Sequence, residues 1–322
     1  MITVTNNCFY PFSAASAAHQ YATIHRAPPI ADLRLNTAGI LFISLICLLF
    51  SGGTASAETT LLLPQHQPVP GGIALVPIPE SLAKADQLPK AYYQNNRVMV
   101  LKAPGTNSQW VAAVGIPLSA KTGTHHLNIA GGNPAQASLE FAVKPKAYRE
   151  QRITLKNKRQ VNPLKQDLKR IGREKEEMVA AFREWRQTNP QFTSFIIPVQ
   201  GEISSPFGLK RFFNNQPRNP HSGLDIAAPE GTPVNAPAGG IVTVTGNYFF
   251  NGNTVLINHG NGLVSMYCHM QQIDVQPGAT IEQGEQIGTV GKTGRATGPH
   301  LHWSVSLNDV RVEPGLLIAE SK

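Results

Sequence analysis

Three short phrases in the last third of the chain constrain its fold more than any other feature. They are Pro220-His221-Ser222-Gly223-Leu224-Asp225, Tyr267-Cys268-His269-Met270 and Gly298-Pro299-His300-Leu301-His302-Trp303. They hold four of the ten histidines in 322 residues. The first and third carry Gly and Pro, which punctuate strands and turns. Imidazole and carboxylate in such company are the ligands a zinc ion takes.

The spacing carries direction. In a strand, residues two apart share a face. The alternating run from His300 to Ser306 should therefore present both imidazoles on one side. His221 and Asp225 lie four apart, as on one face of a helix, but Pro220 and Gly223 argue for a turn that leads into a strand. A catalytic zinc site generally has three protein ligands and an open fourth position. His221, Asp225 and one histidine of the His-Leu-His pair supply that count. Two histidines then remain for acid-base work or oxyanion stabilisation.

These phrases resemble the zinc signature of the lysostaphin/LytM-type murein endopeptidases. The likeness extends over about residues 196–315 and takes in further phrases: Ser205-Pro206-Phe207-Gly208, Gly231-Thr232-Pro233-Val234, Ala236-Pro237-Ala238-Gly239-Gly240 and Gly291-Lys292-Thr293-Gly294. The resemblance implies that His221, Asp225 and His302 bind one Zn2+ per chain. It implies that His269 and His300 act on the water and the transition state. It also implies a sheet with a narrow groove and zinc on its floor. Each motif position is present, although Met270 stands where Leu is common. Relatives that lack the ligands serve as activators of other hydrolases. The intact set here speaks against the alternative of a non-catalytic murein-binding module that activates a cell-wall amidase.

Residues 1–57 read as a secretory signal peptide. An apolar run spans 39–50, Arg26 and Arg34 precede it, and Ala55-Ser56-Ala57 follows as a cleavage pattern. The run falls short of the about 20 apolar residues of a membrane span. Left uncleaved, it would tether the protein to the inner membrane. The expected location is the periplasm, or otherwise outside the inner membrane. Removal would discard Cys8 and Cys47 and leave Cys268 without a disulfide partner. Cys268 reads as a small buried residue that points away from the face His269 serves.

The remainder reads as mainly β. Residues 58–145 carry short apolar runs at 73–78, 97–101, 110–116 and 138–143, parted by Gly, Pro and Asn. They suggest a small N-terminal β-sandwich. The order of parts resembles Gram-negative endopeptidases that carry an immunoglobulin-like domain ahead of the catalytic one. The pair His125-His126 has no partner motif and reads as exposed. Residues 146–190 are densely charged and should form a linker helix, with Leu164, Leu168, Ile171, Met178, Phe182 and Trp185 near one face and Pro190 at its end. Interleaved Glu174, Glu176, Glu177 and Glu184 favour a helix packed on a domain over a nucleic-acid or membrane arm. Residues 191–322, with runs at 240–245, 254–257 and 263–267, should form a C-terminal antiparallel β domain.

The formal charge of +8 suits an anionic polymer. Export argues against nucleic acid and leaves peptidoglycan peptide stems as the partner. A lipoyl- or biotin-type carrier would account for Ala236–Gly240 and the glycines at 278 and 284, but not for the histidines and Asp225. A phosphate loop at Gly291-Lys292-Thr293 fails, because Gln286 stands where its first glycine must be. The expected activity is an exported zinc endopeptidase that hydrolyses murein cross-links. The Gram-negative likeness points to a D-alanyl–diaminopimelate bond.

Overall fold

The computed structural model describes residues 62–319, except 84–86, 104–109, 131–135 and 190. The expected leader over 1–57 and Pro190 lie outside the described residues. No helix among those described is long and apolar enough to cross a membrane.

The first part is a six-stranded antiparallel sheet: β1 (Ile73–Ile78), β2 (Lys90–Tyr93), β3 (Asn96–Lys102), β4 (Trp110–Gly115), β5 (Gly123–Ala130) and β6 (Gln136–Val143), in the order β1-β4-β3-β2-β5-β6. Its two halves meet at the β2–β3 hairpin and share one core. Val76, Ile78, Val98, Val100 and Val114 contribute from one half, and Tyr93, Leu127 and Ile129 from the other. Strand β4 is buried at all six positions. Its Ala112 and Val114 enter that core, while Ala113, with Ile73, Met99 and Leu101, joins the core of the C-terminal part. A strand covered on both faces reads as a continuous apolar run, as Trp110–Gly115 does. The sheet thus has its own core and lends its outer face to its neighbour, within one compact unit.

A short strand β7 (Glu150–Ile153) and helix α1 (Lys165–Arg183) follow. The C-terminal part begins with β8 (Glu202–Ser205), β9 (Lys210–Phe213), β10 (Gln216–Pro217), β11 (Leu224–Ala227) and β12 (Pro233–Asn235). It continues with β13 (Gly240–Tyr248), β14 (Gly252–Gly260), β15 (Leu263–Met270), β16 (Gln272–Ile273) and β17 (Thr280–Ile281). It closes with β18 (Gln286–Thr289), β19 (His300–Leu307) and β20 (Val310–Val312). The main sheet is antiparallel, in the order β17-β13-β14-β15-β19-β11-β8, with β20 on β19. One face packs Val255, Ile257, Tyr267, Leu301, Trp303 and Val305 into the core.

Helix α1 lies on the other face of that sheet. Its last turn buries Ala181 and Phe182 against Leu256, Val264, Met266 and Cys268. Its first turns do not bury the apolar stripe expected of them: Leu164 and Leu168 are 51% and 55% exposed. The apolar packing of the helix on the sheet is confined to its C-terminal turns, and nearer its start it touches β13 through a polar contact, Arg170 Nη2 to the Asn247 carbonyl at 2.8 Å. It ends at Arg183, before Trp185. The Trp185 ring instead carries the Arg97 guanidinium at 4.2 Å.

The two sheets are joined at the β19–β20 turn. Asn308 adopts a left-handed backbone, φ 49°, and is 3% exposed. Its Oδ1 accepts from the Gly115 N–H at 2.9 Å, and its Nδ2 donates to the Gly115 carbonyl at 3.4 Å. Asn308→Ala would orphan both Gly115 groups and force alanine into a left-handed turn. It should lower unfolding free energy by about 2–4 kcal/mol, and Asn308→Gly, which relieves only the backbone, by about 1–3 kcal/mol. Denaturant titration measures both, and wild-type stability in Asn308→Ala would show that this junction contributes nothing.

Candidate active site

The register of β11 against β19 sets Asp225 directly opposite His302 and Ala227 opposite His300. Directly paired residues point to the same face, so the carboxylate and the His302 imidazole meet. Leu301 and Trp303, at the alternate positions, are fully buried in the core. His221 arrives from the irregular segment just before β11 and is pinned on both sides. Its N–H donates to the Leu209 carbonyl and its carbonyl accepts from the Gly208 N–H, each at 2.8 Å. Gly223 makes this approach possible. A Cβ there would lie 2.6 Å from Ser304 Oγ and 2.7 Å from the His302 ring.

The inward atoms are close together. His221 Nε2 lies 2.9 Å from Asp225 Oδ1, His302 Nδ1 lies 2.6 Å from the same oxygen, and the two nitrogens are 3.0 Å apart. The other atoms of these groups are already engaged. His221 Nδ1 donates to the Pro206 carbonyl at 2.8 Å. His302 Nε2 lies 3.0 Å from Ser304 Oγ, and that hydroxyl donates to the Ser222 carbonyl at 2.8 Å. The hydrogen-bond network therefore assigns the protons to His221 Nδ1 and His302 Nε2. Asp225 Oδ2 accepts from Arg211 Nη2 at 2.7 Å. One carboxylate oxygen and two imidazole nitrogens then face one another as lone pairs, an arrangement that suits a divalent cation seated between them. Burial pulls the His221 imidazole down to about 4, so it stays neutral, as a ligand must be.

His269 and His300 complete the cluster. Their rings are 4.8 Å apart, and His269 is 6.1 Å from the His302 ring. His269 Nδ1 donates to the Thr293 carbonyl and His300 Nδ1 to the Gly298 carbonyl, both at 2.8 Å. Among the described residues, Nε2 of neither ring has a hydrogen-bond partner. Burial, then the neighbouring His300 and His302, lowers His269 to about 3. All five residues line one groove.

One expectation is corrected here. Simple alternation would turn Cys268 away from the face of His269, yet both line the groove. The β14–β15 register slips between Asn253 and Val255, and His269 takes a left-handed backbone, φ 64°. The bulge swings His269 to the side that Cys268 shares with its cross-strand partner His302. Cys268 is buried beside Phe182 and Met266, and burial pushes its thiol up to about 12. His125 also departs from expectation. It is half-buried, with Nδ1 2.7 Å from the Tyr93 hydroxyl, and it does not line the groove, whereas His126 is exposed.

Reading the residues did not find the shell behind the donors. Arg211 bonds Gln151 Oε1 at 3.1 Å and Ser205 Oγ at 3.2 Å as well as Asp225. The phrase Ser205-Pro206-Phe207-Gly208 held the signal. Pro206 fixes the His221 tautomer, and Gly208, φ +83°, lies so close to Tyr148 that a Cβ would come within 2.1 Å of its ring. Ser304→Ala removes the acceptor that fixes the His302 ring. It should weaken binding of a divalent ion about 10- to 100-fold without changing the melting temperature of the stripped protein. Chelator competition measures the affinity, and an unchanged value would mean that the Ser304 hydroxyl does not orient the ring.

Comparison with known proteins agrees with this geometry. The model of peptidase family M23 matches residues 219–314, and that of the family M23 N-terminal domain matches residues 66–146. The DD-carboxypeptidase/endopeptidase Mpg of Neisseria meningitidis is 43% identical over 116 residues, 36% of this chain and 27% of that protein. The peptidoglycan DD-endopeptidase ShyA of Vibrio cholerae is 40% identical over 115 residues, 35% of this chain and 27% of that protein. The matched part thus spans about a quarter of the length of these curated relatives. The crystal structure of an assigned peptidase M23 from Pseudomonas aeruginosa is 42% identical, with a TM-score of 0.65, and the match covers 79% of this chain and 96% of that one. With such a relative matched along almost its whole length, and with the donor cluster inside the matched segment, this chain belongs to peptidase family M23.

Proposed function

We propose that the protein hydrolyses the peptide cross-links of bacterial cell-wall peptidoglycan, with one zinc ion held by His221, Asp225 and His302. The observation that carries this reading is the convergence of these three donors within 4.8 Å of one another, beside two histidines not needed as ligands. Zinc bound there would polarise the scissile carbonyl and lower the pKa of its water towards 7. His269 and His300 handle protons. Each is oriented by a carbonyl on Nδ1 and presents Nε2 to the groove. Burial keeps His269 neutral, so its Nε2 can accept a proton as charge develops and later return it to the leaving amine. The substrate class follows from the basic groove and from the relatives, of which ShyA is named as a peptidoglycan DD-endopeptidase. A D-alanyl–diaminopimelate bond is the proposed point of cleavage.

The proposed domain plan is a leader over 1–57, a β domain over 58–145, a linker over 146–190 and the peptidase over 191–322. Peptidoglycan lies outside the cytoplasmic membrane, so the enzyme must be exported to reach it.

Three measurements test this reading. Ala at His221, Asp225 or His302 should abolish stoichiometric zinc in metal analysis after dialysis. Ala at His269 or His300 should keep zinc and fold while kcat on purified murein falls by roughly 10²–10⁴. Loss of zinc in His300→Ala would exchange the roles of the two histidines on β19. Mass spectrometry of the protein from its native envelope should find a mature chain starting at Glu58, whereas an intact chain in the membrane fraction would make the leader an anchor.

A further inference from the structure

The groove around the site has one sign of charge. Lys175, Arg211, Arg218, Arg295 and Arg311 line it, and Asp225 is the single acid among the described lining residues. Arg211 is committed to Asp225. Among the described residues, Arg218 and Arg295 make no ion pair. Arg218 spends its guanidinium on nearby oxygens: Val161 O at 2.9 Å, Pro217 O at 2.8 Å and Gln216 Oε1 at 2.7 Å.

Arg295 differs. Its guanidinium makes one long hydrogen bond, from Nη1 to the Gln160 carbonyl at 3.3 Å. Among the described residues its remaining N–H groups have no partner, out of the five such donors an arginine carries. Two aromatic rings hold it in place, with Phe213 and Phe250 centroids at 4.7 Å and 4.3 Å. Its backbone is tied as well, the N–H donating to the Phe250 carbonyl at 2.8 Å. Burial and the charges of Arg211 and Arg218 pull its pKa down to about 10, so it stays charged at neutral pH. A half-buried, pre-oriented cation among like charges lacks an anion. It stands five residues before His300, in the same groove as the donor cluster.

We propose that Arg295 is a specificity residue that takes a free carboxylate of the bound peptide next to the bond being cleaved. This rests on the peptidase reading and deepens it to substrates with an acid group beside the scissile amide. Murein stem peptides carry such groups on their diacid and chain-terminal residues. A planar fork between two rings matches a carboxylate through two parallel N–H bonds.

The test is equilibrium binding rather than turnover. A soluble cross-linked murein peptide, as the free acid and with its carboxylates amidated, is titrated by calorimetry into full-length, zinc-loaded protein carrying His300→Ala. The acid form should bind about 10- to 100-fold more tightly than the amide. Adding Arg295→Met, which keeps an apolar stem between the rings, should bring that ratio close to one with the melting temperature unchanged. Arg295→Lys should restore part of it, through charge without the fork. An acid-to-amide ratio retained in Arg295→Met, equal binding of both forms by the His300→Ala protein, or an equal loss on both forms, as a packing role would give, overturns the assignment. The peptidase reading is judged separately, by murein cleavage with the unaltered protein.

Discussion

Asp225 is held by the Arg211 guanidinium with its other oxygen turned towards two imidazole nitrogens, and the site depends on that arrangement. The arginine takes Oδ2, so Oδ1 is the oxygen offered to His221 and His302. The arrangement exists because β11 and β19 pair with Asp225 facing His302. A slip of one residue would send one of them to the opposite face of the sheet. What prevents a slip is the other face, where Ile226, Leu301 and Trp303 are fully or nearly fully buried. The apolar core therefore sets the polar site by fixing a register.

The bulge at His269 adds what regular strands do not supply. A non-glycine residue in the left-handed region is strained by about 1–2 kcal/mol, and such strain gathers at functional positions when the surroundings over-determine it. They do so here. The His269 N–H donates to the Asn251 carbonyl and Nδ1 to the Thr293 carbonyl, each at 2.8 Å. The outcome is a second imidazole beside His300 on the groove side of the sheet, reached from a strand whose alternation alone would have turned it inward.

The parts ahead of the C-terminal sheet contribute to the groove. Strand β7 pairs in parallel with β9 and sets Gln151 against Arg211 and Ser205. Tyr148 packs over Gly208 and hydrogen-bonds the Pro70 carbonyl at 2.7 Å, which ties the loop holding His221 to the N-terminal segment. Helix α1 brings Met178 and Phe182 to one wall of the same groove. The charged segment thus acts as a wall, and its acidic residues are partly spent on local partners, as Glu174 is on Arg170 and on the Phe249 N–H.

The sequence by itself picked out the five residues that meet in the groove and the shared face of His300 and His302, because a two-residue period is a property of one strand and needs no neighbour. The mainly β class was legible for the same reason, in short apolar runs parted by Gly and Pro. Only the tertiary structure decided the rest. Arg211 and Arg295 come to the groove through contacts between separate segments, whereas Ser304 meets His302 along its own strand but is held by the Ser222 carbonyl from another. Cys268 faces the groove because of a bulge that exists only between two paired strands. Leu164 and Leu168 stay exposed because the early helix meets its neighbours through polar groups such as Arg170 rather than through them. Each of these depends on what another segment places opposite a residue, and local pattern carries no record of that.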